Sequence, residues 1–67
     1  MSEAKVRYVI RNEKGEYAFA GLYQIYWHKQ LFNDHNLIDY PTKEEAQEMF
    51  PDKKVVKLST SFELLEE

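Results

Sequence analysis

Residues 17–32 read YAFAGLYQIYWHKQLF and hold six of the chain's ten aromatic side chains against one formal charge, Lys29. The segments on either side are charged and mixed, so a core or an adhesive surface lies in this stretch. Its first four residues alternate, with Tyr17 and Phe19 on one side of a short strand and the two alanines on the other. Gly21 then interrupts, as a bulge, a bend or the start of another element. Residues 22–32 admit two readings. In a strand, Tyr23, Ile25, Trp27 and Leu31 share one side, and Tyr26 and Phe32 share the other with Gln24, His28 and Gln30. In a helix, Leu22, Tyr23, Tyr26, Trp27, Gln30 and Leu31 form a stripe. Composition favours the strand, because Tyr, Ile, Trp and Phe suit a pleated surface. A strand with large apolar groups on both faces needs cover on both sides.

Upstream, residues 4–11 alternate, with Val6, Tyr8 and Ile10 opposite Lys5, Arg7, Val9 and Arg11, the pattern of a half-buried strand. Asn12-Glu13-Lys14-Gly15 is a turn in which Gly15 supplies a positive φ. The two strands therefore form a hairpin. Downstream, Asn33-Asp34-His35-Asn36 is polar and turn-forming, and residues 37–40 are a short strand candidate. Thr42 with Glu45 three positions later forms a capping box. Glu44 and Glu45 suit the first turn of a helix. Ala46, Met49 and Phe50 supply its apolar face, with Lys43, Gln47 and Glu48 outward. Pro51 ends it after about two turns. Alternation returns from Lys54, with Val56, Leu58, Thr60, Phe62 and Leu64 on one parity, and predicts a closing strand, up to eleven residues long, that frays at residues 65–67.

The sum is one α+β domain over residues 1–67: a small, mainly antiparallel sheet of hairpin, third strand and closing strand. One short helix packs on one face, over Val6, Tyr8, Ile10, Val56 and Leu58. A chain of 67 residues buries only about 60 % of its unfolded surface. With no cysteine, neither disulfides nor thiolate zinc can reinforce it. Dense aromatic packing or self-association remains.

A strand like Tyr8-Val9-Ile10-Arg11, a turn like Asn12-Glu13-Lys14-Gly15-Glu16-Tyr17, a helix start like Thr42-Lys43-Glu44-Glu45-Ala46 and a closing strand like Val55-Val56-Lys57-Leu58 together resemble small phage and prophage proteins. The resemblance spans most of the chain. It implies a bacteriophage or bacterial accessory protein with an α+β fold, and it transfers no activity and no functional residues.

Net charge is −3, unevenly spread: +2 over residues 1–32 and −5 over residues 33–67. Such asymmetry can steer a partner or favour antiparallel self-pairing, and a solvated mixed surface has the same composition. There is no apolar run of signal-peptide length near the N-terminus and none approaching the ~18 residues of a membrane helix. The expected setting is the cytoplasm, with no membrane partner.

His28, Asp34, His35 and Asp39 are the candidate metal ligands, but their spacing matches no ligand motif, so no metal or other cofactor is expected. Ser59, Thr60 and Ser61 lack the context of a nucleophile elbow. Glu44, Glu45 and Glu48 are accounted for by the helix start. With two glycines there is no phosphate loop. The expectation is therefore a non-enzymatic protein with no small-molecule substrate. Two binding classes stay open. Tyr23, Tyr26, Trp27 and Phe32 form a candidate contact surface for a protein partner or for a second copy in a homodimer, because Tyr and Trp with few charges are what interface cores prefer. Lys5, Arg7, Arg11 and Lys14, near these aromatics, form a candidate single-stranded nucleic-acid surface. Against that second class stand the acidic net charge and the need for aromatics in so small a core.

Overall fold

The computed structural model describes residues 6–59 and 61–65. Six strands and one helix follow in the order β1 (Val6–Arg11), β2 (Tyr17–Ala20), β3 (Ile25–His28), β4 (Asp39–Tyr40), α1 (Lys43–Met49), β5 (Lys54–Ser59) and β6 (Leu64–Leu65). The sheet is antiparallel, in the order β3-β2-β1-β5-β6 with β4 also on β1. This is the α+β fold that the alternation and the capping box predict. Residues 22–32 resolve as the strand reading, shortened to four residues by bends on either side.

The β1–β2 hairpin is built by Asn12. Its side-chain oxygen accepts the N–H groups of Lys14 (3.0 Å) and Glu16 (2.9 Å), and its amide donates to the Glu16 carboxylate at 2.9 Å. Gly15 takes φ +80° as the turn demands. An Asx side chain that closes the turn in this way replaces backbone partners that the loop lacks.

The hairpin then splays. β1 and β2 pair only at Arg11 and Tyr17, and residues 36–40 fill the opening as a second, nested bend. They enter antiparallel to β2, with Ala20 N–H donating to the Asn36 carbonyl (2.6 Å) and Ile38 N–H to the Ala18 carbonyl (3.1 Å). They leave antiparallel to β1, with Val9 opposite Asp39 and Tyr8 opposite Tyr40. Across this second pairing, Arg7 Nη1 donates to Asp39 Oδ2 at 2.8 Å. The pair is one-third exposed, so it is worth about 1 kcal/mol or less.

The nested bend feeds both faces of the sheet. Leu37 is buried with Val9, Tyr17, Phe19 and Leu58, a cluster covered by Leu31, Val56 and Phe62. Ile38 packs on the opposite cluster of Ile10, Ala18, Ala46 and Val55, along with Tyr8, Trp27, Tyr40 and Phe50. This second cluster lies under α1. Thr42 caps the helix, its hydroxyl accepting Glu45 N–H at 3.2 Å.

The structure corrects four expectations. The helix covers Tyr8, Ile10 and Val55, whereas Val56 and Leu58 lie on the far face with Val9. Both parities of β5 are apolar, so only its register, Ile10 opposite Val55 and Val9 opposite Val56, decides which one meets the helix. Met49 is 63 % exposed, so the buried helical contact reduces to Ala46 with Phe50 beside it. Gln47 turns into the helix–β5 connection, its amide donating to the carbonyls of Phe50 (2.9 Å) and Lys53 (3.1 Å). The closing strand folds back on itself: Phe62 N–H bonds the Ser59 carbonyl at 3.0 Å and Ser59 pairs with Glu63, so Leu64–Leu65 returns along β5. The polar run after Leu58 favours this turn, and Phe62 takes the left-handed φ of +66° to make it. Lys5, Thr60 and residues 66–67 lie outside the described residues.

Because Leu37 fills the splayed hairpin, Leu37→Ala is expected to lower unfolding free energy by about 2–4 kcal/mol. The exposed Leu22→Ala should stay within about 0.5 kcal/mol of the parent. Urea denaturation compares the two, and equal effects would contradict the nested packing.

Candidate interaction site

β3 is one edge of the sheet, and the orientation of its backbone follows from its neighbours. Ala18 and Ala20 use their backbone groups on residues 36–38. Along a strand these directions alternate, so Tyr17 and Phe19 face β3. Their partners are His28 and Tyr26. Ile25 and Trp27 therefore turn their N–H and C=O groups outward, away from β2. Among the described residues they form a free edge of the sheet.

Side chains around this edge are apolar and uncovered. Tyr23 is 93 % and Leu22 84 % exposed, and Ile25, Tyr26 and Phe32 are each more than one-third exposed. Cross-strand pairing puts Tyr26 and His28 on the face of Tyr17 and Phe19. There Phe19 stacks on Phe32 at 4.6 Å between ring centroids, and the His28 ring stands edge-on to both, at 5.1 and 5.8 Å. Phe32 thus supplies the cover that this face needs, at the cost of leaving part of its own ring in water. Between these rings and the 31–36 loop runs an open groove of about 470 Å³, lined in part by Leu22, Tyr26, Phe32 and Asp34. Gly21 permits the turn that presents Leu22 and Tyr23: a Cβ at this position would collide with the Gln24 carbonyl and the Tyr26 ring.

Of the expected contact residues, the structure brings Tyr23, Tyr26 and Phe32 to this surface. Trp27 differs. Its side chain packs against the cluster under α1, and only its backbone belongs to the edge. The residues that sequence reasoning omitted are Leu22 and Ile25. Leu22 belongs to the loop that Gly21 opens, and Ile25 owes its role to strand order, which alternation does not encode.

Of the candidate nucleic-acid residues, Arg7, Arg11 and Lys14 are described, and the two arginines are engaged within the fold. Arg7 bonds Asp39 and lies over the Phe62 ring at 5.8 Å; Arg11 lies over Tyr17 at the same distance. Lys14 is exposed in the hairpin turn. The other chemistry-bearing candidates are likewise spent on the fold or scattered. Asp39 holds Arg7, Asp34 Oδ1 accepts Asn36 N–H at 3.0 Å, and the exposed His35 ring sits 3.5 Å from that carboxylate. Among the described residues no group of three or more His, Cys, Asp or Glu is arranged to hold a metal ion. The Ser59 hydroxyl lies 3.0 Å from that of Ser61 and accepts Glu63 N–H, a turn-closing arrangement. No helix among the described residues is long and apolar enough to cross a membrane. Compared with known proteins, the chain matches no family model, no curated protein and no solved structure.

Two substitutions separate scaffold from surface. Gly21→Ala is expected to destabilise the protein by more than about 1 kcal/mol, since the backbone carbonyl of Gln24 must move. Trp27→Ala should cost about 2 kcal/mol or more through lost packing. Thermal unfolding measures both, and an unchanged Tm for Trp27→Ala would return Trp27 to the surface.

Proposed function

We propose that this chain is a non-enzymatic protein-interaction module of the accessory kind that the phage-type resemblance implies, acting in the cytoplasm. Its contact surface is the free β3 edge with the side chains of Leu22, Tyr23, Tyr26 and Phe32 around it. The observation that supports this most is the coincidence of outward backbone donors and acceptors with exposed aromatic side chains on one uncharged strand. An edge strand of this kind is a template for another polypeptide, and natural proteins usually blunt such edges with charge, proline or a covering loop. Ile25–His28 carries none of these devices; the nearest charge is Lys29. Exposed aromatics supply contact area at low entropic cost, which suits a binding surface. The groove is open rather than enclosed, which fits a side chain of a partner better than a buried small molecule.

The test is site-specific photo-crosslinking in the native host. A photoreactive residue at Tyr23 should yield a discrete protein adduct, whereas the same group at Glu44 on the exposed helix should yield none. Equal labelling at both positions, adducts at neither, or adducts dominated by RNA or DNA would overturn the reading.

A further inference from the structure

We infer that the occupant of the β3 edge is a second copy of this chain, paired antiparallel through β3 about a two-fold axis at Tyr26. This rests on the interaction reading and names its partner. Ile25 and Trp27 alone in β3 aim their N–H and C=O groups outward, as the bonds of Ala18 and Ala20 require. Antiparallel pairing is satisfied when outward-facing residues meet outward-facing residues. The register that uses both sets Ile25 of one copy opposite Trp27 of the other, and every outward donor and acceptor of the two strands is then paired. Registers centred on Ile25 or Trp27 leave one of these residues facing a bend.

The same register places Tyr26 opposite Tyr26 in a non-hydrogen-bonded pair, the type with the closer side chains, where aromatic pairs are favourable. The two rings meet on the groove face, so the two grooves run together across the axis. Charge agrees with this arrangement. No residue of Ile25–His28 is formally charged, so the paired strands set no charge against another. Like charges do not meet.

The opposite edge of the sheet is a poorer match. Among the described residues β6 spans Leu64–Leu65, and joining β3 to β6 would propagate an open chain of copies instead of closing. The β3 pairing is small, at the low end of specific interfaces, and predicts a weak, concentration-dependent dimer.

The chain has no cysteine, so Tyr26→Cys introduces a single thiol on the two-fold axis. A half-exposed Tyr26 is replaceable without emptying the core. Paired Cβ atoms about 4.5–5.5 Å apart lie close to disulfide range. Under mild oxidation Tyr26→Cys should form a disulfide-linked dimer about tenfold or more faster than Glu44→Cys on the helix, because encounter at the axis raises the effective concentration of the thiol. Tyr26→Lys, which sets two ammonium groups face to face, should raise the dimer dissociation constant about tenfold or more, with an unchanged thermal unfolding curve at monomeric concentration. Light scattering across a dilution series reads the mass directly. A monomer at every concentration, equal disulfide rates at positions 26 and 44, or growth past two copies would overturn the inference. If Tyr23 photo-crosslinks to a different protein while Tyr26→Cys shows no advantage, the second copy is excluded and the interaction module stands.

Discussion

The structure depends on how the space inside the splayed β1–β2 hairpin is filled. Two strands that pair at one position and then diverge leave backbone groups without partners, and an unpaired buried N–H or C=O is costly. Residues 36–40 solve this by bending inside the hairpin, along β2 on entry and along β1 on exit. The same five residues send Leu37 to one face and Ile38 to the other, so a single insertion seeds both cores. It also forces the pattern of free groups further out. Because Ala18 and Ala20 are committed to residues 36–38, Phe19 and Tyr17 must serve β3, and β3 is left with Ile25 and Trp27 turned to the outside.

So short a chain cannot cover two faces of a sheet equally. One side has α1, a helix of seven residues that contributes little more than Ala46 and the Phe50 ring to the core. The other side has no helix among the described residues and is closed by Leu31, Phe32 and Phe62, drawn in from loops and a strained turn. The division leaves Leu22, Tyr23 and part of Tyr26 uncovered by the described residues. Their exposure follows from the number of elements available, and no residue of Ile25–His28 is formally charged.

Much of the fold was legible in the sequence because its signals are local. The alternation in β1, the Asn12–Gly15 turn and the Thr42–Glu45 cap each depend on neighbours within a few residues, and each is found where local chemistry places it. What was not legible is register and sidedness. Val55, Val56 and Leu58 give β5 two apolar faces, so the helix could have chosen either. Met49 fits the apolar stripe of α1 but is left largely in water. The turn after Leu58 reverses a strand whose parity continues unbroken through Phe62. The candidate site was partly legible for the same reason: Tyr23, Tyr26 and Phe32 are conspicuous in composition, whereas the packing of Trp27 and the edge position of Ile25 depend on strand order.

Hydrogen exchange of individual backbone amides, followed from dilute to concentrated protein, tests the central claim most directly. Ala20 and Ile38 N–H, bonded inside the splayed hairpin, are expected to be strongly protected at every concentration. Ile25 and Trp27 N–H should exchange freely in dilute solution and gain protection as concentration rises. Rapid exchange at Ala20 and Ile38 would contradict the nested bend, and concentration-independent protection at Ile25 and Trp27 would contradict the open edge.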